Sequence, residues 1–325
     1  MRGARSLLLA AFAGFLLLLP VGAGAQTWPT KPIRLIVPFP PGPALDLVAR
    51  LVGNKMNEAL GQPVVIENRS GANGAVGSEF VARAAPDGYT VLAGTAGTHV
   101  TSVFLVKTLP YDPVKDFTPI TAAVEPVTCL TVHVSVPATS VKELIDYAKR
   151  NPGKLSYGSS GVGSVFHLMG ELFRQTTGVE LVHVPYKGVA PAVADLVGGH
   201  IPMVFTSISA VQPYEKGGQI RTLAILEPAR FPAMPDIPSI SETIPAFKKP
   251  SSWFGFFGPP GLPAPILARL NAEMVKALRT PEVRSKLEEA GLAVIADTPD
   301  EFATLLKAGI DQYGQIIKTA GIQPE

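Results

Sequence analysis

Side chains capable of chemistry are few in this 325-residue chain, and they are scattered. Five histidines are present, His99, His133, His167, His183 and His200, with a single cysteine, Cys129. No two histidines stand at the HExxH or any other local metal-ligand spacing. Serines gather at Gly158-Ser-Ser-Gly161, but a nucleophile elbow needs GxSxG. Ser159 and Ser160 therefore read as turn and anion-contact residues. Asp46 and Arg50 form an i,i+4 pair, which stabilises a helix before it does anything else. Cys129 sits in an apolar run between Thr128 and Leu130, the setting of a small buried hydrophobe. No carboxylate pair suggests acid–base work. No catalytic constellation, metal or cofactor is expected. The competing enzymatic reading, an exported serine hydrolase using Ser159 or Ser160, fails on motif spacing.

What recurs is a small, polar loop where a strand ends, at 38–46, 94–99, 158–164, 185–188 and 206–209. The first is the clearest. Ile33–Val37 is a short apolar run that reads as a buried strand, stopped by Pro38, Pro40, Pro41, Gly42 and Pro43. Leu47, Val48, Leu51, Val52 and Met56 then repeat at helical spacing. Strand, tight loop and helix N-terminus together aim backbone N–H groups and the positive end of a helix dipole at the loop, which suits an anion. Gly71, Gly74 and Gly77 match neither the GxGxxG nor the P-loop pattern, and close helix–strand packing is the better reading.

Strands and helices alternate along the rest of the chain. Strands are predicted at 63–67, 89–93, 155–158, 181–184, 201–205, 221–226 and 253–258, and two apolar stretches within 120–136 are broken by Glu125-Pro126. Ser140 and Glu143 form a prospective capping box, as do Thr298 and Glu301, and Pro263 and Pro281 open further helices. The pattern is α/β with mostly parallel sheets flanked by helices. Ligands in such sheets sit outside the carboxyl ends of the strands, and two lobes closing on a ligand is the hinge motion of binding proteins.

Residues 1–25 have the three parts of a secretory signal: Arg2 and Arg5, an apolar run from Leu7 to Leu19, and Ala23-Gly-Ala25. Cleavage near Ala25 would export a soluble chain to the periplasm without membrane insertion. The full chain carries 28 Lys plus Arg and 26 Asp plus Glu; without the two signal arginines the balance is neutral. Neutrality argues against nucleic acid as a partner. Some 300 residues exceed one usual core. Two domains are expected, residues 26–124 with 228–325 and residues 125–227, crossing near Glu125-Pro126 and Glu227-Pro228.

With these landmarks the chain resembles the Bug family, the TctC-like extracytoplasmic solute receptors of tripartite tricarboxylate transporters. The resemblance rests on 28–38 (Trp-Pro-Thr-Lys-Pro-Ile-Arg-Leu-Ile-Val-Pro), Phe39-Pro-Pro-Gly42 with Asp46, Ala84-Ala-Pro-Asp-Gly-Tyr89 and Tyr157-Gly-Ser-Ser-Gly161 with His167. Val184-Pro-Tyr-Lys-Gly188, Gly198-Gly199, Trp253-Phe-Gly255 and Pro263-Ala-Pro-Ile266 continue it. It implies a two-lobed periplasmic-binding-protein fold with a carboxylate in the interdomain cleft and a membrane permease as partner; a monomer is expected. Carried over, ligand contacts fall on Phe39, Gly42, Ala44, Leu45 and Asp46 in one lobe and Ser159, Ser160, Gly163, Ser164 and His167 in the other. Thr95, His99, Tyr186 and Lys187 form a second tier. The family's first loop usually runs Pro-x-Gly-Gly-x-x-Asp with Thr before the Asp, whereas here Pro43 and Leu45 stand at those places. Pro43 removes a donor and Leu45 a hydroxyl. Thr206 occupies a place where some members carry an acid that could hold a ligand amine. A less charged ligand, a monocarboxylate or aromatic acid, is therefore expected. A sensor that presents its liganded form to a signalling partner is the alternative function.

Overall fold

The computed structural model describes residues 28–324; the predicted signal peptide lies outside them. The elements run β1 (Ile33–Val37), α1 (Ala44–Leu60), β2 (Val64–Asn68), α2 (Ala75–Ala82), β3 (Thr90–Thr95), α3 (Ser102–Leu105), β4 (Thr118–Pro126), β5 (Thr128–His133), α4 (Val141–Arg150), β6 (Leu155–Ser159) and α5 (Val165–Thr177). They continue β7 (Leu181–Pro185), α6 (Val189–Val197), β8 (Met203–Ser207), α7 (Ile208–Glu215), β9 (Ile220–Ile225), β10 (Phe254–Gly258), α8 (Ala264–Arg279), α9 (Pro281–Glu289), β11 (Leu292–Val294) and α10 (Pro299–Ala320).

Two sheets organise these elements. The first has the order β11-β4-β10-β3-β1-β2 and the second β7-β6-β8-β5-β9. β1 pairs in parallel with β2 and β3, and β6 with β7 and β8. These are the strand–loop–helix units of the sequence, and covered faces explain why β1 is an apolar run without alternation. The antiparallel partners are the strands near the crossings: β10 and β11 in the first sheet, β5 in the second. The chain passes between sheets at Pro126-Val127 and again along 226–253. The result is two α/β lobes.

Local chemistry accounts for most boundaries. α1 begins at Ala44, three residues before the first predicted apolar position, with Pro43 preset at φ −60° as its N-cap. Thr298 and Glu301 complete their capping box. At α4 the Ser140 hydroxyl accepts from Glu143 N–H, but the Glu143 carboxylate turns to the Thr139 N–H and hydroxyl instead of closing the box. The segment Gly97–Leu105, read only as a polar strand end, forms a wide helical turn and α3, while α7 and β11 carry too little periodic signal to be read.

The glycine triplet packs as expected. A Cβ on Gly77 would lie 2.8 Å from both the Arg69 carbonyl oxygen and Pro38 Cβ. Because one neighbour is backbone, little can yield. Gly77→Ala is expected to cost about 1–3 kcal/mol of stability, read as a lower denaturant midpoint with unchanged slope.

Candidate ligand-binding cleft

The carboxyl ends of both sheets face one cavity of about 380 Å³. Phe39, Pro43, Ala44 and Leu45 line it from the β1–α1 loop, and Thr95, Ala96 and Gly97 from the end of β3. The second lobe contributes Thr128, Ser160, Val165, Phe166, Ser207 and Ser209; Pro126, Ser252, Phe254 and Leu292 complete the wall near the crossings. Among the described residues, no charged side chain lines it.

Two long helices start at this cavity from opposite lobes. In α1 the first intrahelical bonds are made by Asp46 and Leu47 N–H to the Pro43 carbonyl, which leaves the N–H groups of Ala44 and Leu45 without helix partners. In α5 the Ser164 hydroxyl takes His167 N–H and its carbonyl takes Leu168 N–H, which leaves Val165 and Phe166 in the same position. Thr95 adds a hydroxyl. Its oxygen already accepts from Thr98 N–H at 3.1 Å, so its proton is free to turn outward. Ser160 supplies a second hydroxyl from across the cleft. Unpaired N–H groups at two helix N-termini and hydroxyls on the same cavity wall make a donor set suited to a carboxylate.

Several sequence candidates brace the loops and do not line the cavity. Asp46 is 4% exposed and accepts from Gly42 N–H at 3.2 Å, Arg50 Nε at 2.8 Å and Asn68 Nδ2 at 2.9 Å. Burial alone would raise its pKa, but the bonds from Arg50, Asn68 and Gly42 outweigh it and hold the carboxyl below the usual range. Asn68 Nδ2 also donates to the Phe39 carbonyl, closing the loop. The Gly42 N–H is thus spent on Asp46. On the other side, Ser159 Oγ bonds Gly161 N–H, the Gly161 carbonyl and His183 Nε2, the last at 2.7 Å. A hydroxyl tied down in this way and 1% exposed is a loop brace, not a nucleophile. His167 Nδ1 accepts from Gly163 N–H at 3.0 Å, and its ring stacks on His183 with centroids 3.8 Å apart. Ser164 caps α5.

The remaining candidates lie outside the lining. His99 is fully buried, stacked on Phe257 with centroids 4.2 Å apart, and burial pushes its pKa down to about 3. Tyr186 donates its hydroxyl to Asp195 Oδ2 at 2.6 Å. Thr206 is buried one residue before Ser207, and Lys187 belongs to the turn between β7 and α6. Of the lining residues, Ser207 and Ser209 lay in a flagged loop and Phe254 in a quoted motif. Ser252 and Leu292 carried no sequence signal, because only the tertiary fold brings them to the cleft.

The sequence profile described as "Tripartite tricarboxylate transporter family receptor" matches residues 48–322. The chain belongs to this TctC family. Among solved structures it is similar to the Rhodopseudomonas palustris protein Rpa4515 with adipate, at 38% identity and TM-score 0.79 over 92% of this chain and all of that one. MatC (Rpa3494) from the same organism with bound malate is 33% identical, with TM-score 0.72 over 89% of this chain and all of that one. A structure described as a periplasmic transporter is 42% identical, with TM-score 0.76 over 91% and 99% of the two chains. The two lobes are therefore a periplasmic-binding-protein fold. Within it the TctC chain is a solute receptor rather than an enzyme.

The buried histidines make this TctC-family protein sensitive to acid. Burial lowers the pKa of His167, and burial together with the stacked His167 ring brings His183 down to about 4. A base depressed in the folded state gives stability that is fully present above its unfolded pKa of about 6.5 and is lost as pH falls through the folded value. The unfolding free energy is expected to be level from pH 8 to 7 and to fall between about pH 6.5 and 4. His183→Gln should flatten that slope in denaturant titrations run across the range.

Proposed function

We propose that the protein captures a small organic carboxylate in the periplasm, after export through residues 1–25 with cleavage near Ala25, and delivers it as a monomer to the membrane permease of a tripartite transporter. The observation that carries this reading is the convergence of two helix N-termini from opposite lobes on one cavity. The ligand carboxylate would be held by the N–H groups of Ala44, Leu45, Val165 and Phe166 and the hydroxyls of Thr95 and Ser160. Asp46, Ser159, Gly163, Ser164 and His167 would keep those donors in place. The lobes would divide at residues 124–125 and 227–228, although β4 of the first sheet runs on to Pro126. Adipate and malate, the acids bound in the two R. palustris relatives, belong to the same ligand class.

The lining also favours an apolar body. Phe39, Pro43, Leu45, Val165, Phe166, Phe254 and Leu292 surround the cavity, and burial of ring or chain carbon against them contributes about 25 cal/mol per Å². An aromatic or short-chain acid fits that surface better than citrate.

A thermal-shift screen of residues 26–325 against mono-, di-, tri- and aromatic carboxylates tests this. A ligand at about 100 times its Kd stabilises the fold by roughly 2.7 kcal/mol. Ser160→Ala and Thr95→Val are each expected to weaken the best hit about tenfold, the value of one hydrogen bond. Absence of any hit, or hits that ignore both substitutions, would sink the reading.

A further inference from the structure

Behind the cleft wall lies a cluster of charges that carboxylate capture alone does not call for. Lys249 Nζ contacts Glu125 Oε1 and lies 3.4 Å from Glu227 Oε1, with its side chain 2% exposed. Glu125 lies in β4 just before the first crossing and Glu227 begins the second. Two carboxylates thus share one ammonium. Glu227 Oε2 is buried with no hydrogen-bond partner among the described residues, and burial raises this carboxyl's pKa, so its charge is the less well met of the two. Of the titratable groups beside the cluster, Tyr313 donates its hydroxyl to the Pro250 carbonyl and the buried Cys129 thiol is pushed up by burial, so neither adds positive charge.

The cluster is one residue from the cavity. Thr128, a lining residue, donates both its N–H and its hydroxyl to Glu227 Oε1, at 2.9 and 3.0 Å. Ser252, also lining, donates its N–H to Glu125 Oε1 at 2.9 Å. These donors point away from the ligand, toward the glutamates. The starts of α1 and α5, also on the cavity wall, keep their donors free. The cleft wall is therefore polarised, with free donors at the helix starts and, behind Thr128 and Ser252, two carboxylates on one ammonium.

We propose that Glu125 and Glu227, balanced by the single Lys249, set the charge specificity of the cleft, so that the protein takes acids with one carboxylate and rejects those with a second at the crossing end. Ser207 and Ser209, neutral hydroxyls on that side, leave room for a hydroxyl or carbonyl in its place. The inference rests on the carboxylate reading given above and adds the number of charges to it. Charge at this distance acts through the protein interior, where an unpaired neighbour is weakly screened.

The test uses length-matched acids that differ by one carboxylate, hexanoate with adipate and 4-methylbenzoate with terephthalate, titrated calorimetrically into the purified protein at pH 8. Wild type is expected to prefer the monoacid of at least one pair. Glu227→Gln, nearly isosteric and one charge fewer, should shift that preference toward the diacid by about tenfold or more. Glu125→Gln should shift it the same way, with circular dichroism and melting curves showing that the variants fold. Diacids bound as well as monoacids by the wild type would overturn the proposal, as would ratios unchanged in a folded glutamine variant. Failure of every carboxylate to bind would instead overturn the functional reading beneath it.

Discussion

An ammonium removed from water must keep anionic partners, because leaving one of a buried ion pair alone costs several kcal/mol. Lys249 meets that demand with residues from both chain crossings, Glu125 and Glu227. The two connections between the lobes are thereby tied at a single point. Ser251 and Ser252 donate to Glu125, and Thr128 to Glu227, so the strands that leave the crossings start in fixed register. β5 and β10 both depend on this. The antiparallel strands at the centre of each lobe are thus oriented from the same ion cluster that backs the binding cavity.

The two loops proposed to hold the carboxylate solve one problem by different chemistry. A loop that presents N–H groups to a ligand must itself be held without using those groups. In the first lobe a carboxylate does this: Asp46 collects Gly42, Arg50 and Asn68, and leaves Ala44 and Leu45 open. In the second lobe neutral imidazoles do it. His167 takes Gly163 N–H, His183 Nε2 hydrogen-bonds the Ser159 hydroxyl, and Val165 and Phe166 stay open. Each brace uses a donor next to the ones it spares. A sequence motif that names all the residues of such a loop therefore mixes ligand contacts with supports.

That mixture explains what could be read in advance. Apolar runs and glycine or proline stops located the strands closely, since β1, β6 and β7 owe their limits to local chemistry. The β1–α1 loop was legible as a donor site for the same reason. His99 reads as a site candidate in sequence but lies outside the cavity lining, because one residue type serves equally in a core stacked on Phe257 or beside a ligand, and burial is not a local property. Ser252 and Leu292 escaped notice because neither neighbours a strand–helix turn in sequence. Lys248 and Lys249 are adjacent cations in sequence, and only the fold separates them: the Lys249 side chain is 2% exposed, whereas Lys248 is exposed.

Pro43 gives the first loop a property beyond its missing donor. Its ring fixes φ near the −60° needed to start α1, and Pro41, two residues earlier, limits the approach in the same way. The unliganded loop has fewer conformations to lose, so capture needs less ordering of the chain. Rigidity in the empty receptor thus offsets one lost hydrogen bond in the filled one. It also moves discrimination from how well the loop can adapt to how well the ligand already fits.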